Sequence, residues 1–206
     1  GRNIFDVTVP EPLKSNFVAL LDTQYRMHPT IGQLVSALYY EGHLHSDEST
    51  RSMTAIANRT PFSPSPLVLI DTQGQTQCQT TSRHSRLNEI SGQLAAELAL
   101  HAFNAGIESI GVITPYSEQA KLIRHIMRDL GLKSDFAESS TVHRFQGQER
   151  DLVILDTTDA APLKPGVLLN GPGTSANLLN VSLSRARGKL IVIADMHYFR
   201  HGAPNG

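Results

Sequence analysis

Two continuous apolar runs constrain the fold of this chain more than anything else in it: residues 152–156 (Leu-Val-Ile-Leu-Asp) and 190–194 (Leu-Ile-Val-Ile-Ala). They are too short to be helices of ordinary length and carry no polar alternation. Such strands are buried on both faces, as in a parallel sheet covered by helices. Residues 110–114 give a further strand, residues 67–71 (Leu-Val-Leu-Ile-Asp) repeat the buried-strand pattern, and residues 17–21 form a short apolar run ending at Asp22.

Helical patterns alternate with these strands. Pro29 suits a first helical turn. Ile31, Leu34, Val35, Leu38 and Tyr39 follow it on one helical face. Asn88 is placed to cap a helix over residues 89–104, with Gly106 as its stop. Ser117 is expected to cap the next, whose stripe of Leu122, Ile123, Ile126, Met127 and Leu130 ends at Gly131. Residues 175–187 are a further helix candidate. Alternating strands and helices predict an α/β fold: a doubly wound, mainly parallel sheet with helices on both faces. Ligands on such sheets sit at the carboxyl ends of the strands. One domain over residues 1–196 is expected, with surface loops at 45–66, 72–83 and 161–174 and a frayed tail at 197–206.

Composition excludes several functions. The chain is 40% hydrophobic and 18% charged, enough for an ordinary core, and its net charge of −1 carries no global signature of nucleic-acid binding. A local basic groove remains compatible with that sum. A single cysteine, Cys78, rules out an internal disulfide framework and a cysteine-rich zinc site, and points to a reducing cytosol. No apolar run reaches the ~18–20 residues of a membrane span. Nine histidines are scattered without a His-Glu-x-x-His or Cys/His cluster, and no Gly-x-Ser-x-Gly elbow supports a hydrolase triad. Gly1 in place of Met suggests a piece excised from a longer protein.

Three words carry chemistry. In Gln24-Tyr25-Arg26-Met27-His28-Pro29, Tyr25 offers a ring that can stack on a nucleobase, and Arg26 a planar fork that can grip phosphate oxygens. A generic Tyr-Arg pair at a helix entry is more often a buried ring beside a surface cation. In Thr141-Val142-His143-Arg144-Phe145-Gln146-Gly147-Gln148-Glu149, Gly147 permits close backbone approach to a ligand. Glu149 can accept from ribose hydroxyls. Thr141 and Arg144 can meet a nucleic-acid backbone. The alternative is a loop glycine in a solvated polar run, and Arg150 and Asp151 read as such a run. In Asn180-Val181-Ser182-Leu183-Ser184-Arg185-Ala186-Arg187 the two arginines lie two apart, so on a helix only one can face a cleft. An arginine there could stabilise charge on a transferring phosphoryl group, or simply complement a helix C-terminus. Thr114-Pro115-Tyr116 adds a hydroxyl and a ring at a strand end, suited to a single strand or to an ordinary helix-entry turn. Distant arginines of this kind belong to a phosphoryl-transfer site, yet no Gly-x-x-x-x-Gly-Lys-Ser/Thr occurs anywhere. The words describe half an active site.

These residues resemble the second motor domain of superfamily-one helicases of the up-frameshift type. Residues 24–29 with Tyr40-Glu41-Gly42 match the start of that domain, Ile113-Thr114-Pro115-Tyr116 with Gln119 its middle motif, residues 141–149 its penultimate motif, and residues 180–187 its last. Coverage runs from about Asn3 to Asp195. The resemblance implies a RecA-like domain of the P-loop NTPase fold without its own P-loop. ATP would bind at the interface with an N-terminal P-loop motor domain, which would also hold most of the Mg2+ coordination. Tyr25 would stack on adenine, Arg26 reach the γ-phosphate, Glu149 hold the ribose with Gly147 close by, and Arg185 act as the arginine finger. Thr114, Tyr116, Thr141, His143 and Arg144 would line the track of single-stranded DNA or RNA. The whole protein would be an ATP-dependent helicase or translocase, cytoplasmic and not membrane-bound, and this chain alone would be inactive. Two other readings remain: a non-catalytic nucleic-acid or partner-binding module derived from a helicase domain, and an unrelated nucleotide-binding α/β domain.

Overall fold

The computed structural model describes residues 21–145, 147–166 and 174–201, the side chains of 174–178 excepted. The expected strand at 17–21 lies outside them apart from Leu21, as do Gln146, most of the glycine-containing segment 166–173 and the tail beyond His201.

Five strands form one parallel sheet in the order β3-β9-β8-β6-β7. They are β3 (Leu67–Asp71), β6 (Ile110–Thr114), β7 (Ala137–Thr141), β8 (Arg150–Asp156) and β9 (Ala186–Ala194). A two-stranded parallel ribbon joins β1 (Thr23–Gln24) to β2 (His45–Ser46), and an antiparallel one joins β4 (Gln79–Thr80) to β5 (Arg86–Leu87). The helices are α1 (Pro29–Tyr39), α2 (Thr54–Ala57), α3 (Glu89–Asn104), α4 (Ser117–Asp129), α5 (Thr174–Leu183) and α6 (Met196–His201), with a 3-10 turn over Glu48–Met53. No helix among the described residues is long and apolar enough to cross a membrane.

Strand alternation sorts the apolar runs between two cores. Leu152 and Ile154 of β8, with Ile110, Val112, Ile191 and Ile193, meet Ala95, Ala99, Ile123 and Met127 of α3 and α4. Val153 and Leu155, with Ile113 and Leu190, meet Met27, Ile31 and Val35 on the α1 side and Leu183 at the end of α5. The sheet is therefore covered on both faces, the doubly wound α/β arrangement that the uninterrupted runs predict.

Several expectations need correction. Among the described residues β3 pairs only with β9, at one edge of the sheet, and its run is half solvated, with Leu69 53% exposed. The 45–66 segment is not only a loop. Asp47 accepts from Ser49 N (2.9 Å) to cap its 3-10 turn. Ile56 packs so close to Gly188 that a Cβ there would lie 2.4 Å from Ile56 Cβ. The fully buried Lys189 donates to the carbonyls of Arg59 and Pro61. The 72–83 loop contains β4. Tyr116, not Ser117, is the cap residue of α4, without a side-chain bond. Of the α4 stripe, Ile123 and Met127 are buried but Leu130 is exposed. The tail begins with α6, held by Asp195 accepting from Tyr198 N (2.9 Å) over a buried Tyr198 ring. β7, Ala-Glu-Ser-Ser-Thr, has no strand signature in the sequence. It is made a strand by pairing with β6 and by Arg124 of α4 donating to the Ser139 carbonyl (3.1 Å).

Beneath the carboxyl ends of β6 and β8 lies a buried polar network. Asn88 caps α3 by accepting from Ser91 N (3.1 Å) and donates to Thr76 and to the Thr158 carbonyl. Gln119 donates to Asp156 (2.7 Å) and to the Asn88 carbonyl (2.8 Å). Asp156 also accepts from Ser91 Oγ and Thr158 N. Burial outweighs these bonds and pushes the Asp156 carboxyl up to about 6. The raised value means the neutral form favours the folded state: that contribution is complete below the ordinary carboxyl range and is lost as pH rises through about 6. A carbon-13 titration is expected to show one Asp carboxyl with a midpoint near 6. All Asp carboxyls titrating near about 4 would contradict this network.

Candidate functional site

The first word folds as a turn between β1 and α1. Gln24 Oε1 accepts from the backbone N–H of Arg26 (2.8 Å) and Met27 (2.7 Å). Met27 is buried at 3% exposure, and His28 N donates to the Arg187 carbonyl (2.6 Å), which ties the turn to β9. His28 Nδ1 accepts from Thr30 N (3.2 Å), and Pro29 opens the helix. Tyr25 stands 69% exposed. At the far end of α1, Gly42 accepts a positive φ of 82° where the chain doubles back to β2.

The second word starts at the carboxyl end of β7 and crosses the sheet to the amino end of β8. Its anchor is Phe145, fully buried, whose ring fills the space left by Gly111: a Cβ there would meet Phe145 Cζ at 2.4 Å. Val142 is buried beside it, while His143 and Arg144 point out to solvent. Gly147 has φ 83° with open space around it. Arg150, expected to be merely solvated, stacks over the Phe145 ring (5.3 Å) and donates to Glu138 (3.0 Å) and Gln148 (2.8 Å). Asp151 pairs with Arg187 (3.3 Å). The supposed charge run is thus the brace of the word.

The third word is not one helix. α5 ends at Leu183, Arg185 lies in the turn and Arg187 already belongs to β9. Arg185 Nε donates to the Val181 carbonyl (3.2 Å), and its own carbonyl accepts from Arg150 N (3.1 Å). Helix geometry therefore does not separate the two arginines; the turn does.

These placements bring Arg26, Glu149 and Arg185 together. Arg26 Nε forms an ion pair with Glu149 Oε1, both side chains half exposed. Burial lowers the proton affinity of the Arg185 guanidinium, and the nearby positive charge of Arg26 lowers it further, against the opposing pull of Glu149. Arg26 is paired with Glu149 and Arg185 lies near enough to feel the charge of both, so two guanidiniums and one carboxylate form a part-exposed cationic cradle, with the exposed Tyr25 next to Arg26 in the chain. That donor set fits a polyphosphate carrying a base. Among the described residues no group of three or more His, Cys, Asp and Glu is placed to hold a metal ion.

The cradle lies at the amino ends of β8 and β9, opposite to the carboxyl-end rule, because residues 142–149 carry their word across the sheet. The other candidates stay at the carboxyl end. Thr114 is fully buried, with its hydroxyl against Thr158 Oγ1 (2.8 Å) and accepting from Tyr116 N (3.4 Å). Tyr116 is half buried beneath Arg86 (5.5 Å), and its hydroxyl is pushed up by burial and by Asp159. Arg86 is itself paired with the fully buried Asp159 (2.7 Å). Thr141 is half exposed. Gln24, Phe145, Arg150 and the Arg86–Asp159 pair were not singled out as site residues by the sequence; for Gln24 and Phe145 the only signal was membership of the words themselves.

The doubly wound parallel sheet thus gathers Arg26, Glu149 and Arg185, and the sequence holds no phosphate-binding loop motif. A family model described as AAA domain matches residues 3–197. The chain is similar to DNA polymerase alpha-associated DNA helicase A of Saccharomyces cerevisiae, at 31% identity over 209 residues and 94% of this chain. It is similar also to a Regulator of nonsense transcripts 1 homolog of Drosophila melanogaster, 31% identical over 182 residues and 85% of this chain. ATP-dependent helicase upf1 of Schizosaccharomyces pombe is 30% identical over 183 residues, again 85% of this chain. The chain belongs to this AAA-domain family of superfamily-one helicases of the up-frameshift type, as their second RecA-like motor domain. It spans 30%, 15% and 19% of the length of those three relatives.

Proposed function

We propose that this domain supplies one half of the ATPase site of a nucleic-acid helicase or translocase. The observation that carries the reading is the convergence of Arg26, Glu149 and Arg185 from three distant words. Tyr25 stacks on adenine, Gly147 and Glu149 take the ribose, Arg26 takes the γ-phosphate and Arg185 is the finger. ATP would supply the phosphoryl group that is transferred to water, with ADP leaving, and Mg2+ would be held mainly by the P-loop domain. In the present arrangement Glu149 holds Arg26 in readiness. When nucleotide enters, Arg26 exchanges the carboxylate for phosphate oxygens and Glu149 turns to the ribose hydroxyls. Arg185 stabilises the charge that spreads over the phosphoryl oxygens in the transition state.

Toward the carboxyl end of the sheet, the exposed His143 and Arg144 and the half-exposed Thr141 offer donors to a single strand, with the part-exposed Tyr116 at the end of β6. Thr114 acts there by fixing the Tyr116 backbone. Closure of the two domains on ATP and reopening after hydrolysis would ratchet the strand. A cytoplasmic setting fits the lone buried thiol of Cys78.

Tyr25→Ala in the full-length protein tests the reading without touching the core. Base–aromatic stacking of ~1–3 kcal/mol predicts a nucleotide KM raised about tenfold or more, with the unfolding midpoint unchanged because the ring is 69% exposed. An unaltered KM would remove the adenine platform from this surface.

A further inference from the structure

We infer that Gln24 is a positioning residue for Tyr25 and Arg26, acting through its side-chain amide on the backbone that carries them. The inference rests on the nucleotide reading of those two residues. The amide uses a complete set of four bonds. Oε1 accepts from the N–H of Arg26 (2.8 Å) and Met27 (2.7 Å). Nε2 donates to the Met27 carbonyl (2.9 Å) and to Ser46 Oγ (2.7 Å). Two acceptor sites and two donors are all a glutamine amide has.

The surroundings are shaped to this amide. A Cβ on Gly32 would lie 2.6 Å from Ser46 Oγ and 2.9 Å from Gln24 Nε2, so the glycine of α1 is what admits the contact. The Gln24 carbonyl accepts from Asp47 N (2.9 Å), which extends the β1–β2 ribbon. Tyr25 is too exposed to be aimed by packing. Its direction is set by the turn, and among the described residues the turn's backbone is pinned on one side by Met27 and His28 and on the other by the Gln24 side chain. Gln24 thereby links the nucleotide contacts to β2 and the capped 3-10 turn that follows it.

The chemistry calls for an amide. A carboxylate would keep the acceptors but face the Met27 carbonyl with a second acceptor. Alanine would leave the N–H groups of residues 26 and 27 and the Met27 carbonyl without these partners. Misplacement by about 1 Å can cost about 10²-fold in rate.

The test is ATPase kinetics of the full-length protein in two backgrounds. In the wild-type background, Gln24→Ala is expected to raise nucleotide KM, lower kcat, and reduce kcat/KM by roughly 10- to 100-fold. In the Tyr25→Ala/Arg26→Ala background the same substitution is expected to change kcat/KM by less than about twofold, the non-additivity of residues that act as a unit. A purely structural role would lower the active fraction equally in both. Ser46→Ala removes only one of the four bonds and is expected to shift KM in the same direction by less. It carries the test if Gln24→Ala does not fold. Wild-type kinetics for both Gln24→Ala and Ser46→Ala, or equal losses in the two backgrounds, would overturn the positioning role. Wild-type kinetics for Tyr25→Ala/Arg26→Ala would overturn the nucleotide reading itself, and this inference with it.

Discussion

Arg185→Ala in the full-length protein is expected to lower ATPase turnover by roughly 10³-fold or more while leaving ATP binding much less affected. That loss corresponds to about 4 kcal/mol of transition-state stabilisation. The asymmetry follows from where Arg185 sits. It is held on the turn by its own Nε bond to the Val181 carbonyl, and Glu149 is already engaged with Arg26. Removing Arg185 therefore leaves Arg26, Glu149 and Tyr25 in place, the residues that make the ground-state contacts in the proposed site. Arg185→Lys keeps the charge but loses the planar fork, and should recover only part of the rate. Unchanged turnover in Arg185→Ala, measured under saturating ATP and nucleic acid, would sink the finger assignment.

Phe145→Ala should be the most damaging substitution for the fold. The ring is fully buried and occupies the notch over Gly111. Truncation of a buried Phe costs about 3–5 kcal/mol. The loss should appear as a lower urea midpoint at an unchanged slope. Gly111→Ala attacks the same contact from the other side, since its Cβ would overlap Phe145 Cζ, and overpacking of this kind costs about 1–3 kcal/mol. Both variants should also weaken nucleotide binding, because Arg150 rests on the ring and Glu149 is its neighbour. A Phe145→Ala midpoint within error of wild type would mean that the word does not depend on this anchor.

Phe145 and Arg150 both escaped the sequence reading, whereas most of the central sheet did not. The strands at 110–114, 152–156 and 190–194 were readable because central strands of a covered sheet must be apolar on both sides. The Asn88 cap and Gly106 stop were readable because helix ends place strict demands on side chain and φ. β7 was not, since its polar residues become a strand only through partners distant in sequence. The same holds for Arg150: four consecutive polar residues look solvated until the ring beneath and Glu138 alongside are known. The site words named Arg26, Glu149 and Arg185, and these three converge. The words did not reveal that Thr114 would be interior or that Arg185 and Arg187 would leave the helix. Both depend on where α5 stops and how deeply β6 ends, which no local pattern encodes.

The hydrogen bond from Arg150 N to the Arg185 carbonyl has a mechanical consequence. It joins the first residue of β8 to the turn residue just before β9, so Glu149 precedes one partner of the bond and Arg185 is the other. The backbones that carry them are thereby held at about the spacing of neighbouring strands, about 4.8 Å. The cradle behaves as a stationary jaw. In the proposed two-domain site, opening and closing would then come from motion of the opposing lobe against it.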